Sequence, residues 1–286
     1  MKCWVNEELV DEDDVCISPN DYGFLYGYSV FETVRSYDGK FFRLDEHLAR
    51  LQAGVDLLGL KDIPSLDQVE TIFNSLLSEN DLKDGIIRLT LTYGSPPRLT
   101  FPKGQKNNLV VTIHPLSPDI GKKCDEGIKV RIEKTWRRDS QSPLGRIKSG
   151  NYLPLMMAKR MAVEEGFDDA LILNEKGSVC EATTSNLFIV SQGKLFTPSK
   201  DQGIVEGITR GAVIEIANER CIPLNEGSVS EKDVLMADEV FSTNSVSELI
   251  PVVRVDTKSI GSGSPGKITR DLQSGFRKLI IKELGV

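Results

Sequence analysis

Histidine is nearly absent: His47 and His114 are the only two in 286 residues. A zinc site or a Ser-His-Asp triad would have to use one of them, and neither lies in a nucleophile elbow or a two-histidine spacing. Cysteine is scarce and scattered. Cys3, Cys16, Cys124, Cys180 and Cys221 form an odd set without a CxxC pair, which argues against a disulfide framework or a thiolate metal site and fits a reducing compartment. Positive charge is in deficit, with 35 Lys and Arg against 42 Asp and Glu. The net charge of -7 offers no long-range attraction to nucleic acid or an anionic membrane, so neither is an expected partner. No apolar run is long enough to span a bilayer. The opening MKCWVNEELVDEDD turns acidic where a secretory peptide needs an apolar stretch, and the expected location is cytoplasmic.

What is present describes an ordinary globular chain, 40% hydrophobic and 27% charged, with enough apolar surface for a sizeable core. Its length accommodates two packed domains, divided here into residues 1–115, a linker at 116–122, and residues 123–286. Residues 2–10 and 30–37 read as strands, with Asp38-Gly39 turning the chain into 40–43. Leu44, Leu48, Leu51, Val55 and Leu58 recur at helical spacing up to Gly59. Ser65 and Gln68 make a capping box for a second helix. Residues 86–93 alternate, with Ile87, Leu89, Leu91 and Tyr93 on one face and Arg88, Thr90 and Thr92 on the other, and 109–114 reads as the return strand. The second half mixes short strands at 127–133, 170–173, 179–183, 187–190 and 194–196 with helices at 152–165, 209–219 and 269–283. The lack of regular strand-helix alternation favours α+β over a doubly wound sheet.

Two segments invite a phosphate reading. Gly261 to Lys267 nearly matches a P-loop, but Ile268 stands where Ser or Thr should hold magnesium, and a Gly- and Ser-rich loop is the better reading. Gly207-Ile208-Thr209 ahead of a helix offers unpaired N–H groups and a hydroxyl, as an anion site or as a plain cap. His47 shares a helix face with Arg50 and Gly54, so it either lines a site or packs as an ordinary histidine.

A choice among the many lysines comes from longer motifs. Residues 21–33 (DYGFLYGYSVFET), 42–51 (FRLDEHLARL), 147–152 (IKSGNY), 179–188 (VCEATTSNLF), 207–210 (GITR) and 239–251 (EVFSTNSVSELIP) follow one another across nearly the whole chain. In order and spacing they resemble class IV aminotransferases. The resemblance implies a two-domain α+β fold of type IV, like D-amino-acid aminotransferase, with pyridoxal 5'-phosphate in the cleft, residues 123–286 as the cofactor-anchoring domain, and a homodimer. It makes Lys148 the Schiff-base lysine that also shuttles the proton, and Glu181 the carboxylate on the pyridine nitrogen, which keeps the ring an electron sink. Arg50, Ile208, Thr209, Asn244 and Ser245 resemble the phosphate cup, a reading that suits a guanidinium fork and a helix start. Tyr152 resembles the tyrosine on the ring hydroxyl, or else only opens the next helix.

Three reactions share this framework: D-amino-acid transamination, branched-chain L-amino-acid transamination and aminodeoxychorismate cleavage. Gly94 to Arg98 looks like the loop with which D-amino-acid transaminases grip the substrate carboxylate, which makes Arg98 the first candidate and Arg88 the second. Phe31, Thr33 and Tyr26 complete the expected substrate wall. Phe31 stands where D-specific enzymes carry tyrosine, and Thr100 where they carry histidine. Branched-chain enzymes carry glycine at Thr33 and Gly-Thr at Asn244-Ser245, and fit less well. Thr33 matches a threonine of the lyases, although β-branching alone suits a strand. The expectation is therefore transamination between an amino acid, D favoured, and a 2-oxo acid, with the lyase as the alternative.

Overall fold

Asn6 adopts the left-handed backbone that asparagine tolerates, at φ 57°, and folds the first residues into a hairpin of β1 (Lys2–Val5) and β2 (Glu8–Asp11) where the sequence reads as one strand. The computed structural model describes residues 1–61 and 63–286. The chain forms two compact units. The first comprises Met1–Leu116, Ile147–Asn151 and Glu283–Val286, and the second Ser117–Arg146 and Tyr152–Lys282. The short segment that carries Lys148 thus belongs to the first unit.

In the first unit a single turn, α1 (Tyr22–Tyr26), leads into β3 (Ser29–Tyr37) and β4 (Lys40–Phe41). Helices α2 (Leu44–Leu58) and α3 (Leu66–Glu79) follow, then β5 (Gly85–Thr92) and β6 (Asn108–Pro115). The sheet order is β2-β1-β6-β5-β3-β4. Helix α2 stops where Gly59 takes φ 65°, and α3 starts on the Ser65–Gln68 capping box, as expected. Val30, Val34, Leu89 and Leu91 on one sheet face pack with Leu51, Val55, Val69 and Phe73 from these helices. Each such side chain contributes about 1.5–3 kcal/mol by leaving water. Gly54 lets α2 approach β3, since a Cβ there would lie 2.9 Å from Val30 Cγ1.

In the second unit α4 (Asp119–Glu126) occupies much of the stretch read from sequence as linker. The sheet contains β7 (Ile128–Arg138), β8 (Asp169–Asn174), β9 (Ser178–Ala182), β10 (Asn186–Ser191), β11 (Lys194–Pro198), β12 (Leu224–Gly227), β13 (Val229–Ser230), β14 (Glu239–Asn244), β15 (Glu248–Val255) and β16 (Lys258–Ser259). Helices α5 (Leu153–Glu164), α6 (Ile208–Glu219), α7 (Glu231–Met236) and α8 (Lys267–Leu284) are interspersed among them. Strand pairing runs β10-β14-β15-β7-β8-β9, and β9 meets β10 again at Glu181 and Asn186, so these strands close on themselves. Two of them thereby join beside a carboxylate that the sequence singles out. The mixed arrangement is the α+β class expected.

Candidate active site

In the first unit, alternation along β3 assigns opposite duties to neighbouring residues. Phe31, Thr33 and Arg35 share one face with Thr90 and Arg88, which lie opposite Phe31 and Thr33 on β5. The segment 147–151 runs antiparallel along the start of β3: the Phe31 N–H donates to the Lys148 carbonyl at 2.9 Å, and the Gly150 N–H donates to the Ser29 carbonyl at 2.8 Å. Ile147 is buried in the apolar core, which fixes this segment from the other side. The Lys148 amine lies 4.5 Å from the Phe31 ring centroid and the Arg88 guanidinium carbon 3.6 Å from it, so one aromatic ring carries both cations.

The opposite face of β3 carries Glu32. Its Oε1 accepts from Arg50 Nε at 2.7 Å, and its Oε2 accepts from Arg50 Nη2 at 2.7 Å and from His47 Nδ1 at 2.8 Å. His47 and Arg50 are one turn apart on α2, so both reach the same carboxylate. Glu32 and His47 are 2% exposed. Burial alone would raise the Glu32 pKa, but the Arg50 charge and the hydrogen bonds from both partners hold it well below the usual carboxylate range. Burial pushes the His47 pKa down, which Glu32 offsets only in part. The imidazole is therefore neutral and donates its Nδ1 proton. His47 is thus a packed, hydrogen-bonded histidine.

Arg98 is exposed on the turn after β5, at φ 56°. Its carbonyl accepts from the Tyr22 hydroxyl, which in turn accepts from the Thr100 N–H at 3.1 Å. Tyr22 stacks on Tyr93 with ring centroids 5.7 Å apart, and Tyr26, half exposed, meets Tyr22 edge-on at 5.0 Å. A buried tyrosine therefore shapes the Arg98 turn.

In the second unit Glu181 is buried on β9. Its Oε2 accepts from the Val205 N–H at 3.1 Å and from Asn186 Nδ2 at 3.2 Å, and its Oε1 pairs with the Arg138 guanidinium. Asn186 Nδ2 also donates to the Val205 carbonyl at 2.8 Å. Burial pulls the Arg138 pKa down, yet a guanidinium keeps its charge under any ordinary condition. Such a set of donors fixes the carboxylate in place.

Ile208 and Thr209 open α6, where Gly207 in the cap position leaves the first N–H groups without a side-chain acceptor. A Cβ on Gly207 would collide with Asn186 Oδ1, so glycine lets this helix start close to the Glu181 cluster without displacing that side chain. Thr243 lies one residue before the end of β14, and its buried hydroxyl has no hydrogen-bond partner among the described residues. Asn244 Oδ1 accepts from the Val246 and Ser247 N–H groups and so holds the turn containing half-buried Ser245. Tyr152 takes the cap position of α5 and packs against Leu155 and its neighbours. By contrast, the start of α8 after the P-loop-like stretch is filled from within: the Ile268 and Thr269 N–H groups and the Thr269 hydroxyl all donate to Glu239.

Sequence reasoning missed Glu32, Tyr22, Arg138, Asn186 and Thr243. Four of these five lie inside the quoted motifs, which supplied a signal without a partner. Arg138 has none, because only the fold lets a β7 side chain reach past β8 to Glu181 on β9. Among the described residues no cluster of His, Cys, Asp or Glu is arranged to hold a metal, and no helix is long and apolar enough to cross a membrane.

The profile of the family described as Amino-transferase class IV matches residues 29–255. An aminodeoxychorismate lyase of Bacillus subtilis is 35% identical over 280 residues, which are 97% of this chain and 94% of that protein. A D-alanine aminotransferase of Bacillus licheniformis is 30% identical over 285 residues, 99% of this chain and 98% of its own length. Among solved structures, the branched-chain amino acid aminotransferase of Escherichia coli superposes with a TM-score of 0.90 at 28% identity, covering 97% of this chain and 94% of that one.

Proposed function

The chain belongs to the class IV aminotransferase family, and on that premise we propose that it moves an amino group between an amino acid, preferably of D configuration, and a 2-oxo acid. Enzymes of this family use pyridoxal 5'-phosphate, which when bound supplies an electron sink for the substrate's α-carbon. The residues present fit that group: a buried carboxylate fixed by several donors suits a protonated ring nitrogen, and, among the described residues, a helix start without a side-chain cap and a buried hydroxyl without a partner suit a phosphate.

In this reading the Lys148 amine holds the cofactor and carries the proton taken from the substrate's α-carbon. Glu181, steadied by Asn186, Val205 and Arg138, keeps the proton on the ring nitrogen. The N–H groups of Ile208 and Thr209, with Thr243, Asn244, Ser245 and the Arg50 guanidinium, bind the phosphate. Tyr152 would hydrogen-bond the ring hydroxyl. Arg88 is favoured over Arg98 for the substrate carboxylate, because it stacks on the ring that also carries Lys148. That shared ring is the observation on which the reading rests.

Borohydride reduction of the loaded enzyme followed by peptide mapping tests it: the label is expected on Lys148, and a label elsewhere removes the reading. D-alanine with 2-oxoglutarate should then yield pyruvate, whereas turnover of L-leucine alone would overturn the D preference. A second reading, the aminodeoxychorismate lyase, is favoured by Thr33, which lies opposite Arg88 in the strand register. Release of p-aminobenzoate would select it. The reading also carries the homodimer that the resemblance implies and the cytoplasmic location expected from the sequence, and light scattering should give about twice the chain mass.

A further inference from the structure

Neither Glu32 nor His47 has a part in the chemistry above, yet with Arg50 they form a buried hydrogen-bonded cluster in the first unit. An ion pair in an apolar core is a poor source of stability, because hydrophobic residues of similar volume usually serve as well. Its geometry is more informative. Glu32 grips Arg50 by the Nε and Nη2 edge with both oxygens, which fixes the plane and the direction of the guanidinium. His47 occupies the second oxygen from the preceding turn of α2, so the carboxylate cannot rotate away from the fork. The Arg50 side chain is 14% exposed and Glu32 2%, so the arginine is the member of the cluster that reaches outward.

We propose that Glu32, steadied by His47, is a positioning residue that sets the Arg50 guanidinium in advance for a phosphate monoester. This rests on the reading of Arg50 as a phosphate ligand. A long, flexible side chain is ordered before the ligand arrives, so binding need not supply that ordering. The lowered carboxylate pKa agrees with a carboxylate that holds the fork closed at neutral pH.

The test compares two cofactor forms on the intact protein. Equilibrium dialysis of protein loaded with pyridoxal 5'-phosphate, and separately with pyridoxal, gives a Kd with and without the phosphate. Glu32→Gln should weaken the phosphorylated form about tenfold, the scale seen when the partner that orients a ligating group is removed, and leave pyridoxal nearly unchanged. In an Arg50→Gln background, Glu32→Gln should add nothing. His47→Asn, which leaves the arginine fork intact, should give a smaller loss of the same kind, and it serves if Glu32→Gln does not fold. Equal weakening of both forms, or of neither, overturns the proposal. If Arg50→Gln itself fails to separate the two forms, the phosphate reading of Arg50 falls, and this inference falls with it.

Discussion

The backbone of Lys148 is hydrogen-bonded to that of Phe31, whose ring also lies 4.5 Å from the lysine amine. One residue thus positions the lysine twice, through its amide and through its aromatic face. Lys148 is placed by the edge of a sheet and not by the long loop that precedes it in sequence.

Replacing the ring tests that arrangement. Phe31→Leu keeps the strand pairing and the bulk but removes two cation–π contacts, each worth about 0.5–2 kcal/mol. The expected result is a fall in kcat/KM of about tenfold, with Phe31→Tyr close to wild type. An unchanged Phe31→Leu enzyme would show that the ring is only packing.

Gly207 offers a sharper lesion. Its alanine variant must push Asn186 away, and Asn186 holds Glu181. Crowding of this kind costs about 1–3 kcal/mol. Urea unfolding of Gly207→Ala should show that loss, and steady-state kinetics should show a lower kcat as well. Full activity would mean that the Glu181 cluster does not depend on Asn186.

Acid should weaken the first unit through His47. Its folded pKa lies below the ordinary histidine value of 6.5, first because of burial and further because of the Arg50 and Lys148 charges, with Glu32 acting the other way. As pH falls through that value the unfolded chain takes up a proton that the folded chain does not. Stability then declines by up to about 1.4 kcal/mol per pH unit. The depressed Glu32 carboxyl acts lower, in the carboxylate range, where its contribution is likewise lost as pH falls. Denaturation midpoints between about pH 7.5 and about pH 5.5 should drop in the wild type and drop less in His47→Asn.

The thiols should separate into two classes. Cys16 and Cys221 are exposed, whereas Cys3, Cys124 and Cys180 are buried. Burial pushes the Cys180 thiol up to about 12 despite nearby Arg138. A thiol reagent should therefore modify Cys16 and Cys221 in the native protein and reach the other three only after denaturation. Rapid native labelling of Cys180, next to Glu181 in sequence, would mean that β9 opens.

Local patterns made much of this legible. Helix α2 was plain in its leucine spacing, α3 in its capping box, and the two faces of β5 in strict alternation. What sequence does not encode locally is which side chains meet. Glu32 looks like one more polar strand residue until α2 brings His47 and Arg50 onto it. The β1–β2 hairpin turned on one asparagine at positive φ, a weak signal beside a run of β-formers. The single turn α1 had no room for a periodic pattern, and its tyrosine gained meaning only through the distant Arg98 turn.

The start of the last helix already has a resident. With the Glu239 carboxylate bonded across Ile268 and Thr269, a nucleotide approaching the glycine-rich stretch would meet negative charge where it needs donors. Restoring the missing hydroxyl by Ile268→Ser would therefore create no nucleotide site. The same carboxylate moors that helix to its neighbouring strand, so the stretch that imitates a ligand loop serves as an anchorage for the end of the chain.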